Sequence, residues 1–200
     1  MSEWWTYRAA DFLMYSARTW YRLIEQYNTA FWPLQLVTML LGLVVVALSI
    51  RPPPWQGRAI GGILTLLWLW VAVGFLWRRY ATISIAGNWF AAAFGVQAIL
   101  LAWTALGRNS LSFGMRGLAG WLGLGLLLTA VLYYPFIPVL AGRGIARAEV
   151  FGMMPDPTAL ATIGALILAR GPWRRRLLVI PVFWCVVSGA MLWALHQEIG

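Results

Sequence analysis

IGGILTLLWLWVAVGFLW, residues 60–77, contains no charged residue and no proline, and Arg78 and Arg79 close it. As a helix this run rises about 27 Å, nearly the thickness of a bilayer's hydrocarbon core. Working outward, the same plan repeats. A run at 31–50 stops at Arg51 and the Pro52-Pro53-Pro54 turn, and one at 83–106 ends at Gly107-Arg108. Further runs cover 117–134, 157–169 and 177–195. In lipid each must be a helix, because every backbone amide needs a partner within the protein. The expected fold is an all-α membrane protein: one six-span transmembrane helix bundle over 31–200, preceded by an amphipathic segment at 1–30.

Composition agrees. Of 200 residues, 62% are hydrophobic and 10% charged, whereas soluble domains carry about 25% charged residues. All the basic residues are Arg, and the net charge is +9. They cluster between apolar runs rather than on one soluble face, which argues for helix ends and lipid headgroups and against nucleic acid. The expected partners are the lipid bilayer and a second copy or a membrane-complex subunit. The first apolar run begins near Phe31, late for a cleavable signal, and is expected to remain as the first span.

Residues 7–27 alternate at helical spacing. Arg8, Asp11, Arg18, Arg22 and Glu25 occupy one side, and Phe12, Trp20, Leu23, Ile24 and Tyr27 the other. Such a helix suits the headgroup layer; packing against the spans or a partner is the alternative. Gly87, Ala91 and Gly95, and Gly117, Gly120 and Gly123, form small-residue stripes that let helices approach closely. Many of the 14 Trp lie near span ends, as in an interfacial belt. Trp68, Trp70, Trp121 and Trp184 lie deeper and could line a cavity.

Much chemistry is excluded. Without Lys there is neither a P-loop nor a Schiff base, and a single His excludes bis-His haem within the chain. Zinc spacings such as CxxC and HExxH are absent. No catalytic residue and no cofactor is expected. None of the predicted spans has a charge at its middle, which weighs against proton pumps and ion-coupled transporters.

The most informative stretch is AEVFGMMPDPT, residues 148–158. Two prolines precede a short fifth span, and Asp156 suits an N-cap. A broken helix at membrane depth needs a covering of protein or water, so this stretch is either re-entrant or an ordinary surface loop. A helix start aimed into the protein can receive a polar group. The candidate ligand-binding residues are Asp156, Thr158, Asn88, His196 and Glu149. Met153, Met154 and His196 are weaker candidates for a soft metal, with no recognised ligand spacing.

SEWWTYRAADFLMYSARTWYRLIEQYN near the start, then WPLQL and VFGMMPDPT, resemble an uncharacterised family of bacterial multi-pass inner-membrane proteins. The resemblance runs along essentially the whole chain. It implies the helical fold and a bacterial inner membrane, but no activity, substrate or catalytic residue. It also implies that relatives often carry Cys where this chain has Asp156, which puts in doubt any role needing a thiol there.

The leading expectation is small-solute binding or transport at an extracytoplasmic site. The alternatives are an accessory or assembly subunit of a larger complex, and a membrane enzyme acting on lipid or quinone. All six acids fall on the side of the N-terminus under a six-span topology, while the opposite loops hold only Arg. Both termini are therefore expected to face out. A C-terminal reporter that works only in the cytoplasm should be silent; an active one reverses the orientation.

Overall fold

The computed structural model describes residues 15–196. Helix α1 (Ala17–Ala30) begins at Ser16, whose hydroxyl accepts the Thr19 N–H. It turns through 89° into α2 (Leu34–Ile50). Three long helices follow, and each widens into a π-helical stretch: α3 (Gln56–Trp70, then Val71–Trp77), α4 (Ala86–Leu101, then Ala102–Gly107) and α5 (Gly117–Leu128, then Thr129–Tyr133). After the short α6 (Ile137–Leu140) come α7 (Pro155–Leu168), the single turn α8 (Arg174–Leu177) and α9 (Val179–His196). Strands β1 (Ser112–Phe113) and β2 (Ala169–Arg170) pair antiparallel and tie the foot of α7 to the loop before α5. The Gln56 amide clamps the same place, donating to the Phe113 carbonyl and accepting its N–H.

Four stretches are long and apolar enough to cross a membrane: Gln56–Thr82, Ala86–Gly107, Gly117–Leu140 and Arg174–Leu195. The bent α1–α2 pair is a fifth if counted as one broken span, and α7 is a shorter apolar helix.

The surface carries the membrane signature. On α2 the buried positions include Gln35, Thr38, Gly42 and Ser49, while Leu36, Leu40 and Leu43 are exposed. Leu40, Trp89 and Leu118 are 62%, 76% and 76% exposed. Apolar surface on this scale would drive aggregation in water, and it suits lipid.

The apolar side of α1 is covered by protein. Trp20 and Tyr27 set their rings edge-on to Phe75, and Trp20 meets Tyr80 in the same way. The part of the amphipathic segment before Tyr15 lies outside the described residues.

Helix α7 sits at the centre, in contact with α2, α3, α5 and α9. Its sequence PDPTALATIGALIL explains why. Small residues on every side let four neighbours approach at once, and nearly all of the helix is buried. The tightest crossing is with α5. A Cβ added to Gly123 would lie 2.9 Å from the Gly164 carbonyl oxygen, and one on Gly164 would lie 2.7 Å from that of Gly123. Of the stripe on α4, Gly87 meets the backbone of Ala81, whereas Gly95 faces open space and is no packing seam.

Gly123→Leu should destabilise the protein by about 1–3 kcal/mol or more, since neither backbone can yield. Gly125→Ala, on the same helix with open space around it, should be neutral or slightly stabilising. Thermal unfolding in detergent checks both, and equal effects would remove the close crossing.

Candidate functional site

The segment leading into α7 runs into the bundle without being helical. Residues 148–155 are all buried. Buried backbone needs partners, and each end of the segment has them. At its start, the Asn28 amide on α1 donates to the carbonyls of Ala146 and Ala148 at 3.0 and 2.8 Å. At its end, the Thr158 hydroxyl accepts the Gly152 N–H at 2.8 Å and donates to the Met154 carbonyl at 2.6 Å. Between them the Val150 carbonyl takes the N–H groups of both Met153 and Met154. Gly152 has φ +76°, and Leu67 and Thr38 crowd the place where a Cβ would stand, so only glycine fits the turn. The Thr162 hydroxyl donates to the Thr158 carbonyl and accepts the Trp68 indole N–H, both within α7's buried surroundings.

Asp156 is not the N-cap that the sequence suggests. Met154 takes that place, in extended backbone, and Pro155 opens the helix. Proline fits there because the first turn needs no intrahelical N–H donor. Asp156 falls within the first turn, where a negative charge suits the helix dipole. Its carboxylate turns sideways to neighbouring helices. The Trp184 indole N–H donates to it at 2.7 Å, the Ser188 hydroxyl at 2.7 Å and the Tyr134 hydroxyl at 3.4 Å. Trp184 and Ser188 stand one turn apart on α9 and so share a face. Trp184 is held in turn by edge-on contacts with Phe90 and Phe94.

Ser188 lies a little over two turns before the end of α9 at His196, about 12 Å inward along the helix. The carboxylate therefore sits well down the flank of a long apolar helix, although Asp156 comes from a helix start. The predicted spans themselves hold no charge at their middles; the fold instead brings Asp156, from a helix start, against the middle of α9. Beside it, Tyr15, Trp20, Asp156, Trp184 and Ser188 border a cavity of about 10 Å³, room for about one water. The Tyr15 hydroxyl is 3.0 Å from that of Tyr80.

Glu149, at the buried entry to the same segment, is close enough for its carboxyl to interact with that of Asp156. Burial raises its pKa to about 8; the Asp156 charge adds to the effect and Arg143 opposes it.

Of the residues singled out in the sequence, Glu149 and Asp156 lie within electrostatic reach of each other, and Thr158 follows with its hydroxyl already engaged. Asn88 is exposed and lines a separate hollow with Leu69 and Trp77. The Met153 and Met154 side chains are wholly buried among core residues. His196 closes α9, and its side chain lies outside the described residues. Among the described residues no group of three His, Cys, Asp or Glu side chains gathers to hold a metal. Tyr134, Ser188 and Tyr15 were not singled out, whereas Trp184, one of the deep tryptophans expected to line a cavity, does border the one beside Asp156. The one local signal for them is the spacing of Trp184 and Ser188, an indole donor and a hydroxyl on one helical face.

Because the folded protein keeps a proton on Glu149 after the unfolded chain has lost it, stability should fall as pH rises from about 4.5 to about 8, then level off. Glu149→Gln should flatten that part of the profile and gain most on the native protein near pH 8. Melting temperature against pH, followed by tryptophan fluorescence, measures it; an unchanged slope in the variant would exclude Glu149 as the cause.

No curated protein and no solved structure matches the chain. A match to a family of unknown function covers residues 17–200, and the chain accordingly belongs to that family, DUF6064.

Proposed function

We propose that the protein binds, and carries or senses, a small monovalent cation of ammonium size or below at Asp156. The observation that carries this reading is a carboxylate set on the flank of an apolar helix beside a cavity with room for one water. An ionisable group at such a depth is costly, and function is the usual reason for keeping one. The cavity wall suits a small cation: one carboxylate, the Tyr15 side chain and the rings of Trp20 and Trp184. A larger solute does not fit this conformation. The short α7 brings the Asp156 carboxylate inside the bundle.

The membrane arrangement belongs to the proposal. Six spans are counted by adding α2 and α7 to the four long helices. The membrane is a bacterial inner membrane, and both termini lie on the extracytoplasmic side. The Asp156 site opens toward that side, where Glu25 and Arg147 also pair at 3.2 Å.

Asp156→Asn separates this role from simple bracing. The Asn carbonyl still accepts from Trp184 or Ser188, so the variant should fold with a melting temperature near that of the native protein. Proteoliposomes on a solid-supported membrane should give a saturable current after an ammonium or pH step. Asp156→Asn should lower it at least about tenfold, as expected when a charge-assisted contact is lost. Tetramethylammonium, too large for the cavity, should give none. A folded Asp156→Asn variant with a full response would overturn the proposal. Co-purification of a foreign polypeptide on Asp156, lost in Asp156→Asn, would favour the accessory-subunit alternative.

A further inference from the structure

Two hollows meet at the elbow between α1 and α2, and they differ in character. The first, about 770 Å³, runs along the exposed side of α1 and is bordered by Arg18, Arg22, Arg147 and Glu25. Arg18 and Arg22 stand one turn apart and are exposed, with no carboxylate partner among the described residues. Arg147 spends part of its charge on Glu25. The second, about 530 Å³, is almost wholly apolar, with Trp32, Leu36, Met39, Phe136, Ile145 and Val150 on its walls. Thr29 borders both hollows, so they adjoin. The apolar hollow in turn continues onto the exposed Leu36 and Leu40 face of α2. Gln35 also lines it; the residue is 93% buried, and its carbonyl oxygen has no hydrogen-bond partner.

We propose that this elbow is a binding site for one acidic phospholipid. The phosphate lies over Arg18, Arg22 and Arg147, and an acyl chain fills the apolar hollow and runs on down α2. Charge complementarity selects the occupant. Three guanidiniums against one carboxylate leave a positive surface, and guanidinium matches phosphate in a two-pronged geometry. The adjoining hollow offers almost nothing polar, which suits a hydrocarbon tail. Neither half specifies this ligand alone; a phosphate anion would leave the second hollow empty, and a neutral lipid would leave the arginines unmatched. The site shares no lining residue with the cavity beside Asp156 and does not depend on that reading.

Native mass spectrometry of the full-length protein in detergent tests it, with phosphatidylglycerol, phosphatidylcholine of the same chains and soluble glycerol phosphate as probes. One phosphatidylglycerol should be retained, at least about tenfold more tightly than phosphatidylcholine. R18Q/R22Q should lose that preference, and each single variant should lose part of it. R51Q/R58Q, which removes two exposed arginines at the other end of α2, should keep it. Equal retention of the two lipids would overturn the proposal. So would equal loss in both double variants, or glycerol phosphate binding as tightly as the whole lipid.

Discussion

A buried amide has no water to pair with, and the architecture of this protein follows from how it meets that condition along seven residues. Residues 148–154 enter the bundle without forming a helix, so their backbone cannot pair with itself in the usual ladder. Asn28 holds one end of the segment and Thr158 the other, and Val150 closes the turn between. With the segment held at both ends and at its turn, α7 can begin inside the protein rather than at its surface. That start brings Asp156 to α9, leaves α7 only 14 residues long and requires four neighbours to cover it.

The neighbours cover it with an arrangement that reverses the soluble pattern. Gln35, Thr38 and Ser49 point inward from α2, while Leu36, Leu40 and Leu43 face out. Elsewhere, interior polar groups bond across helices. Trp68 reaches Thr162, and Gln97 on α4 donates to the Leu177 carbonyl at 3.0 Å. In lipid the driving force for apolar burial between helices is small, so fit and these bonds hold the bundle. The two ends are then free to differ. One gathers the carboxyls, Arg143 and Arg147; the other is closed by a two-residue strand pair and the Gln56 clamp beneath an arginine-only rim.

The long apolar runs were legible in the sequence because lipid imposes a single demand, about 20 residues without charge, and residues 60–77 state it without ambiguity. The Pro155–Pro157 stretch was legible as a break for equally local reasons. What surrounds the break was not. Asp156 between two prolines looks like a cap, but the helix starts two residues earlier than that requires and the carboxylate turns to Trp184 and Ser188, 28 and 32 residues away. Asn88 looked like a partner because it lies on an apolar helix, yet which face of α4 turns inward depends on packing with α3 and α9. The apolar stripe of α1 is a similar case. Periodicity reveals the stripe, but lipid and protein are equally good covers for it, and here Phe75 and Tyr80 take the place.

The backbone contact between Gly123 and Gly164 also has a mechanical meaning. Two helices that touch carbonyl to Cα have no side chains between them to tilt or slide, so they interlock like teeth. Helix α7 cannot piston past α5 by a fraction of a turn. Tyr134 follows the widened end of α5 and Asp156 opens α7, so those two groups ride on one stiff unit. Any opening of the cavity beside Asp156 must come from the other walls, α9 with Trp184 and Ser188 or α1 with Trp20, each moving like a door against a fixed jamb.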